Sequence, residues 1–290
     1  MLSYGKQSIS EDDIQAVVDI LRSDFLTQGP SVGEFESKVA MKVGALNAVA
    51  VNSATSALHL ACLALDLEAG DVVWTSPNSF VASSNCALYC GATVDFVDID
   101  PLSYNMSVEK LDEKLRYAKA NGQLPKIVIP VHMCGQSCDM DKIHILSKKY
   151  GFSIIEDASH AIGGKYKDDF VGSCKYSDVC IFSFHPVKII TTGEGGMALT
   201  NNKNIAEKMR LLRSHGVTRD PQHFVQPAYD DGAWYYQQIT LGFNYRMCDI
   251  QAALGTSQMD MLDRFIDKRN QIALQYIKGF KDTPFLELPS

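Results

Sequence analysis

Lys188 follows a strand-like apolar run, Val179-Cys180-Ile181-Phe182-Ser183-Phe184, in the turn His185-Pro186-Val187-Lys188, and the chain then enters Thr191-Thr192-Gly193-Glu194-Gly195-Gly196. Upstream, Asp157 ends a second hydrophobic run, Phe152-Ser153-Ile154-Ile155, inside Glu156-Asp157-Ala158-Ser159-His160. A lysine and an aspartate on neighbouring strand ends are the pair that pyridoxal phosphate requires. The lysine condenses with the aldehyde, and the carboxylate keeps the pyridine nitrogen protonated so that the ring accepts electrons. A lysine after a strand is ordinarily a solvated surface charge; the combination with Asp157 and the glycine-rich turn is what points to chemistry. No metal is required by this reading.

Short β-rich runs alternate with helical patterns, which predicts an α/β layer fold around a mostly parallel sheet. Strands are expected at residues 48–51, 72–75, 93–97, 126–131, 153–156, 179–184 and 197–200. Helices are expected at 54–65, 81–89, 108–120, 140–150 and 205–215. A first helix is expected to start at Ser10, because Ser10-Glu11-Asp12-Asp13 has the form of a capping box ahead of Ile14, Val17, Val18 and Leu21. Periodicity lapses between Thr218 and Leu241, which reads as a long ordered loop near a site or interface. It resumes at Asp249 as one helical pattern running to about Lys278.

Further candidates sit at the predicted strand ends. Asn52-Ser53-Ala54-Thr55-Ser56-Ala57 opens a helix directly after a strand, so its free backbone N–H groups, helix dipole and hydroxyls suit a phosphate; plain N-capping by Ser53 or Thr55 is the alternative. Phe80, after Thr75-Ser76-Pro77-Asn78-Ser79, either stacks on a flat ring or packs the core. His160 either hydrogen-bonds a cofactor or serves the structure, and Ser183 either reaches a phosphate or closes a local backbone bond.

At 290 residues the chain can bury a substantial core, and 46% hydrophobic with 21% charged residues is ordinary for a globular protein. A net charge of −7 argues against nucleic acid or an anionic membrane as partner. No apolar run approaches the length of a membrane helix, and Met1–Ser10 lacks the basic start and apolar core of a signal peptide. Eight cysteines prompt a metal check: Cys86 with Cys90 and Cys134 with Cys138 suggest four thiolates, but the two-residue knuckle spacing is missing and Cys86 and Cys90 read as a helix packing face. Buried reduced thiols in a cytoplasmic protein are the expectation.

Taken together, these segments resemble a known family. Leu26-Thr27-Gln28-Gly29, Asn52 to Leu58, Gly70-Asp71, Phe80-Val81-Ala82, Glu156-Asp157-Ala158, Ser183 to Lys188, Gly193 to Gly196 and Gly242-Phe243-Asn244-Tyr245-Arg246-Met247 are similar, in order and over essentially the whole chain, to the DegT/DnrJ/StrS sugar aminotransferases of pyridoxal-phosphate fold type I. The resemblance implies a three-layer α/β/α fold and a homodimer with shared sites. It implies Lys188 and Asp157 as catalytic residues, and Ala54, Thr55, Phe80, His160, Ser183 and Asn244 around the cofactor, with Asn244 reaching the neighbouring subunit. Tyr4, Asp24, Phe25, Leu26 and Thr27, with Ala54, Ser183 and Asn244, would line the substrate pocket. Ser53-Ala54-Thr55 departs from the Ser-Gly-Thr of many members; the added methyl narrows the turn without removing a donor.

Trp74-Thr75-Ser76-Pro77, Asn85 to Ala92 and Ser214 to Asp220 are similar to the branch that aminates C4 of a UDP-linked 4-keto-6-deoxy-N-acetyl-altrosamine in pseudaminic acid biosynthesis, with L-glutamate as the implied donor. Amination of another nucleotide-linked keto sugar, or a non-catalytic sensor that binds cofactor or nucleotide sugar, remain alternatives. A dehydratase on the same scaffold carries histidine in place of the lysine, and Lys188 argues against it. The resemblance divides the chain into a cofactor-binding domain at 1–245 and, at 246–290, a long linking helix with the start of a small C-terminal domain, most of which is expected to be absent.

Overall fold

The computed structural model describes residues 5–226, 232, 234–286 and 288. Tyr4 lies outside them. The strands are β1 (Asn47–Val51), β2 (Val72–Thr75), β3 (Thr93–Phe96), β4 (Ile127–Ile129), β5 (Ser153–Asp157), β6 (Lys165–Tyr166), β7 (Asp169–Phe170), β8 (Val179–Ser183), β9 (Gly196–Thr200), β10 (Val217–Thr218) and β11 (Gln237–Gln238). The helices are α1 (Glu11–Leu21), α2 (Ser31–Val43), α3 (Ala54–Ala64), α4 (Ala82–Tyr89), α5 (Val108–Ala120), α6 (Met140–Tyr150), α7 (Lys203–Leu212), α8 (Asp249–Met259) and α9 (Leu262–Phe280).

All seven expected strands form one sheet in the order β1-β9-β8-β5-β4-β2-β3. The pairs β2–β3, β2–β4, β4–β5 and β5–β8 are parallel, whereas β9 runs antiparallel to both β1 and β8. β9 is reversed because the chain folds straight back after β8 through residues 184–195, with no crossover helix to return it to the starting edge. That loop carries Lys188.

Alternation along the strands builds three layers. Val49, Val51, Ile127, Ile129, Ile155, Val179, Ile181 and Ala198 pack on one face with α3, α4 and α7. On the opposite face, Ala48, Ala50, Cys180, Phe182, Met197 and Leu199 meet α2 and α8, while Trp74, Val128 and Ile154 meet α5 and α6. Side chains pointing to opposite faces at successive positions give this two-sided burial directly. The expected three-layer α/β/α fold is therefore present.

The capping box at Ser10 forms as expected: the Asp13 amide donates to Ser10 Oγ at 3.2 Å and the Ser10 amide to Asp13 Oδ2 at 2.8 Å. Two expectations fail. α2 is absent from the sequence-based helices; Gly29, Pro30 and Gly33 interrupt its pattern, yet Phe35, Val39 and Val43 bury one stripe. The pattern from Asp249 is two helices, broken at Asp260 and Met261. The break turns α8 onto α1 and α2, while α9 is buried only at its first residue.

Part of the expected loop between Thr218 and Leu241 is ordered by a short β10–β11 ladder and a single 3-10 turn at Pro221–His223. The thiols are more varied than expected: Cys134 is exposed, and Cys90 and Cys248 are half-buried. No described helix is long and apolar enough to cross a membrane.

Candidate active site

β5 and β8 are parallel neighbours, with Asp157 opposite Ile181, so the strand ending at Asp157 and the strand feeding the Lys188 loop finish on the same edge. β2, which leads to Phe80, points the same way through β4. β1 also points that way, because both β1 and β8 oppose β9. The carboxyl-terminal edge of the sheet thus gathers the segments holding Lys188, Asp157, Ser183, Phe80 and Ala54-Thr55. Ligands of open α/β sheets bind at that edge.

Asp157 is 5% exposed. Its Oδ2 accepts from Ser83 Oγ at 2.6 Å and its Oδ1 from Ser159 Oγ at 2.6 Å and the Ser159 amide at 3.2 Å. Bonds of this kind to a charged group contribute about 1.5–3 kcal/mol each and fix its orientation. Backbone bonds from the Asp157 amide to the Pro130 carbonyl (2.9 Å) and from the His132 amide to the Asp157 carbonyl (3.0 Å) hold the strand end. Beneath it the fully buried His132 donates through Nε2 to Glu156 Oε2 at 2.8 Å, since its Nδ1 accepts from the Cys138 amide at 3.1 Å.

Lys188 is half-buried, and its amine has no hydrogen bond or ion pair among the described residues. Burial lowers its pKa below the ordinary lysine value, opposed by attraction to Asp157. A free amine with a weakened hold on its proton, within the field of a buried carboxylate, is chemically poised as a nucleophile and proton carrier. Its backbone is pinned: the Lys188 amide donates to the His185 carbonyl at 2.8 Å, and Arg269 Nη2 donates to the Lys188 carbonyl at 2.9 Å.

His160 is exposed, and its ring makes no hydrogen bond among the described residues, which removes the reading of a structurally satisfied histidine. Local desolvation, then the positive charges of Lys188 and Arg269, lower its pKa against the pull of Asp157.

Ser53 caps α3, its Oγ accepting from the Ser56 amide at 3.1 Å. Capping at Ser53 leaves the Thr55 hydroxyl without a partner among the described residues. The start of α3 lies against β9. A Cβ added at Gly196 would stand 2.4 Å from the Ala54 nitrogen and 2.5 Å from the Ser53 carbonyl carbon, so only glycine permits that approach. Gly196 is also the ladder partner of both Ser183 and Val51. Ser183 is buried, and its Oγ is met by the His185 amide only at 3.5 Å, the outer limit of a hydrogen bond.

Phe80 is 75% exposed, which excludes the core reading. Its carbonyl accepts from the Ser83 amide at 3.2 Å, so the ring sits one turn from the serine that holds Asp157. Asn244 is exposed and bridges Ser214, while its carbonyl accepts from Asn52 Nδ2 at 3.3 Å. Asp24, Phe25, Leu26 and Thr27 are all exposed. The segment is docked by the buried Asp249, whose amide donates to the Leu26 carbonyl (3.0 Å) and whose carboxylate accepts from the amides of Gly29 and Ser31 (2.9 and 3.0 Å).

Beside Lys188 opens a cavity of about 510 Å³ between the chain at Lys6–Ser8 and α9. Among the described residues four cations, Lys6, Lys188, Lys268 and Arg269, line it and no carboxylate does. None of Asp24 to Thr27 reaches it.

Sequence reasoning missed two residues. Ser83 carries no motif, and its pairing with Asp157 spans 74 positions. Arg246, two positions after Asn244, bridges Val51 and buries its Nε without a hydrogen-bond partner among the described residues. An unpaired charged donor at the end of β1 is a signal visible only in the fold.

Fold and site define an α/β aminotransferase scaffold of the pyridoxal-phosphate type. Residues 7–290 match the DegT/DnrJ/EryC1/StrS aminotransferase family, and the chain belongs to that family. It is 40% identical over 285 residues to the UDP-4-amino-4,6-dideoxy-N-acetyl-beta-L-altrosamine transaminase of Campylobacter jejuni, covering 98% of this chain and 71% of that one. Its fold superposes on Helicobacter pylori PseC, an aminotransferase involved in the biosynthesis of pseudoaminic acid, with a TM-score of 0.85 at 33% identity, over 97% of this chain and 71% of that one. Spr1654 of Streptococcus pneumoniae, in its PLP form, gives 0.83 at 28% identity, over 97% and 72%. Family and neighbours indicate a nucleotide-sugar aminotransferase dependent on pyridoxal phosphate.

Proposed function

We propose that this chain binds pyridoxal phosphate at the carboxyl-terminal edge of its sheet and moves the amino group of L-glutamate to C4 of a UDP-linked 4-keto-6-deoxy amino sugar, as a homodimer with shared sites. The observation that carries this reading is the unpaired Lys188 amine, its pKa lowered by burial, in the field of the serine-held Asp157 carboxylate. The sugar is taken from the named activity of the Campylobacter relative. In this reading residues 1–245 form the cofactor-binding domain, and residues 246–290 lead towards a second one.

The residues present fit the cofactor. An amine, a fixed carboxylate, an aromatic ring and a helix start with free donors match its aldehyde, ring nitrogen, ring face and phosphate. When bound, pyridoxal phosphate supplies an aldehyde that condenses with amines and a ring that takes up the electron pair of the reacting carbon. Lys188 Nζ, which gives up its proton more readily than a solvated lysine, carries the proton of the reacting substrate carbon. Asp157, oriented by Ser83 and Ser159, accepts from a protonated ring nitrogen. The amides opening α3 and the Thr55 hydroxyl hold phosphate, with Ser183 across Gly196. Phe80 covers a ring face, and His160 offers a neutral imidazole beside Lys188. Asn244 and Arg246 supply polar contacts to substrate or to the neighbouring subunit's cofactor, and Asp24 to Thr27 form part of the sugar pocket. Lys6, Lys268 and Arg269, the three cations beside Lys188, suit an anionic substrate.

The test is spectroscopic and then kinetic. Purified protein with pyridoxal phosphate should absorb in the visible, lose that band on adding glutamate, and recover it on adding the UDP keto sugar. A dTDP-4-keto-6-deoxyglucose substrate should react far more slowly. A band insensitive to glutamate refutes the transaminase reading, while preference for the dTDP sugar, or amination at C3, refutes only the substrate.

A further inference from the structure

Gln258, in the last turn of α8, is 1% exposed, and its side chain joins three segments of the chain. Its Nε2 donates to Asp13 Oδ2 at 2.7 Å and to the Ser8 carbonyl at 2.9 Å, and its Oε1 accepts from the Thr191 amide at 3.4 Å. Two acceptors on one side and an N–H on the other leave one way to place the amide. The bond to Thr191 is the longest and weakest of the three.

The capping box of α1 prepares this arrangement. Asp13, also 1% exposed, has its Oδ2 held by the Ser10 amide at 2.8 Å and the Ser10 hydroxyl at 3.0 Å. Burial raises the Asp13 pKa, but its hydrogen bonds, led by that of the Ser10 amide, hold it below the ordinary carboxylate. Gln258 therefore makes a charge-assisted bond to Asp13.

Ser8 belongs to the stretch that walls the cavity beside Lys188. Among the described residues, the bond from Gln258 is the only hydrogen bond joining residues 5–8 to the rest of the chain. The same stretch lies over the lysine turn: a Cβ added at Gly5 would stand 3.5 Å from Cγ1 of Val187, the residue before Lys188. Lys6 lines the cavity together with Lys188, Lys268 and Arg269. Thr191 lines it too, and its hydroxyl donates to the Phe184 carbonyl at 2.9 Å, closing the loop that carries Lys188.

We propose that Gln258 is a positioning residue: it pins residues 5–8 beside the lysine loop and so keeps the Lys6 cation in the cavity wall for the anionic group of a substrate. The pinning stands on the geometry alone; the effect on turnover rests on the proposed aminotransferase function. Gln258 acts through Lys6 on substrate binding. Capture of the cofactor depends on Lys188, whose backbone is held separately by His185 and Arg269.

Gln258→Glu separates the two sides of the amide. The acceptor for Thr191 remains, but one donor at most survives, so Asp13 and Ser8 cannot both be satisfied in either protonation state. Gln258→Met removes all three bonds at similar volume and adds no charge.

The experiment digests the cofactor-loaded protein with trypsin and reads cleavage after Lys6 by mass spectrometry. Both variants should be cut there about tenfold faster than the parent, because cleavage follows the population of the released stretch. Cofactor capture, followed by absorbance, should stay within about twofold, and KM for glutamate or for the UDP keto sugar, whichever anion the cavity holds, should rise about tenfold with little change in kcat. Lys6→Ala should raise the same KM, and combining it with either Gln258 variant should add little. Unchanged cleavage after Lys6 overturns the pinning. A KM that Lys6→Ala leaves unchanged, or effects that multiply in the double variants as they would for a merely structural Gln258, overturn the link to substrate. Should Gln258→Glu fail to fold, Gln258→Met carries the same test. Failure of the aminotransferase reading shows separately, as absent turnover in the parent, while the cleavage comparison still decides the pinning.

Discussion

Gly196→Ala tests whether the site depends on the approach of two backbones. An added methyl would stand 2.4 to 2.6 Å from the Ala54 nitrogen, the Ser53 carbonyl carbon and the Ala54 Cα, about 1 Å short of ordinary contact. These are backbone atoms at the head of a helix, so no side chain can rotate aside. The start of α3 must move off β9, or the β9 ladder to Val51 and Ser183 must loosen. Overpacking of this kind costs about 1–3 kcal/mol. At roughly 2–4 °C per kcal/mol, a cost of 2 kcal/mol lowers the melting temperature of the cofactor-free protein by about 4–8 °C.

Cofactor binding should suffer independently. Displacing the α3 amides removes at least one charge-assisted hydrogen bond to phosphate, about 1.5–3 kcal/mol, or roughly a 10- to 100-fold weaker Kd. The assay pairs a melting curve with a titration of pyridoxal phosphate followed by absorbance. Gly279→Ala, in the exposed α9 with nothing within 4 Å, is the control and should melt no lower than the parent. If Gly196→Ala melts lower yet binds cofactor unchanged, the head of α3 does not hold the phosphate. If neither quantity moves, the close approach does not constrain the fold.

Asp157→Asn should retain cofactor while turnover falls by roughly 100-fold or more, because the amide keeps the shape but removes the charge facing the ring nitrogen; near-normal turnover defeats that role. Burial lowers the Lys188 pKa from its ordinary 10.5, so the unfolded chain binds the extra proton between the two values and the burial cost fades as pH rises through that window. Cofactor-free Lys188→Met should therefore be more stable than the parent near neutral pH, its advantage shrinking towards pH 10.5; denaturant midpoints that show the advantage growing with pH contradict the assignment. Mixing inactive Lys188→Ala with inactive Asn244→Ala should restore about a quarter of parent activity, since random association makes half the dimers mixed, with one intact site each. Mixed dimers that form without activity rule out site sharing.

The sheet was legible because period-two burial and short apolar runs are local signals, and all seven of its strands lie where the sequence places them. α2 was not: Phe35, Val39 and Val43 carry its stripe, but the Gly29-Pro30 entry and Gly33 mask it. The break at Asp260 and Met261 has no glycine or proline to announce it; what turns the chain is the packing of α8 on α1 and α2. At the site, residue types at strand ends were readable, since a lysine, an aspartate and a helix start each carry their chemistry in one position. Their support was not, because it is long-range. Ser83 reaches Asp157 across 74 residues, and Gly196 brings the Ala54 turn, Ser183 and Val51 to one point.

The thiol cluster makes the same point in reverse. Four-residue spacing made Cys86–Cys90 and Cys134–Cys138 look alike, but helix packing gathers Cys86 and Cys90 into one cluster with Cys62 and puts Cys138 across the sheet. Spacing within one helix says which side chains share a face, and only the packing of a second helix decides what that face meets. Here the packing that joins the three thiols also joins α3 to α4, so the helix that opens at Ala54 and the helix that holds Asp157 through Ser83 cannot shift independently.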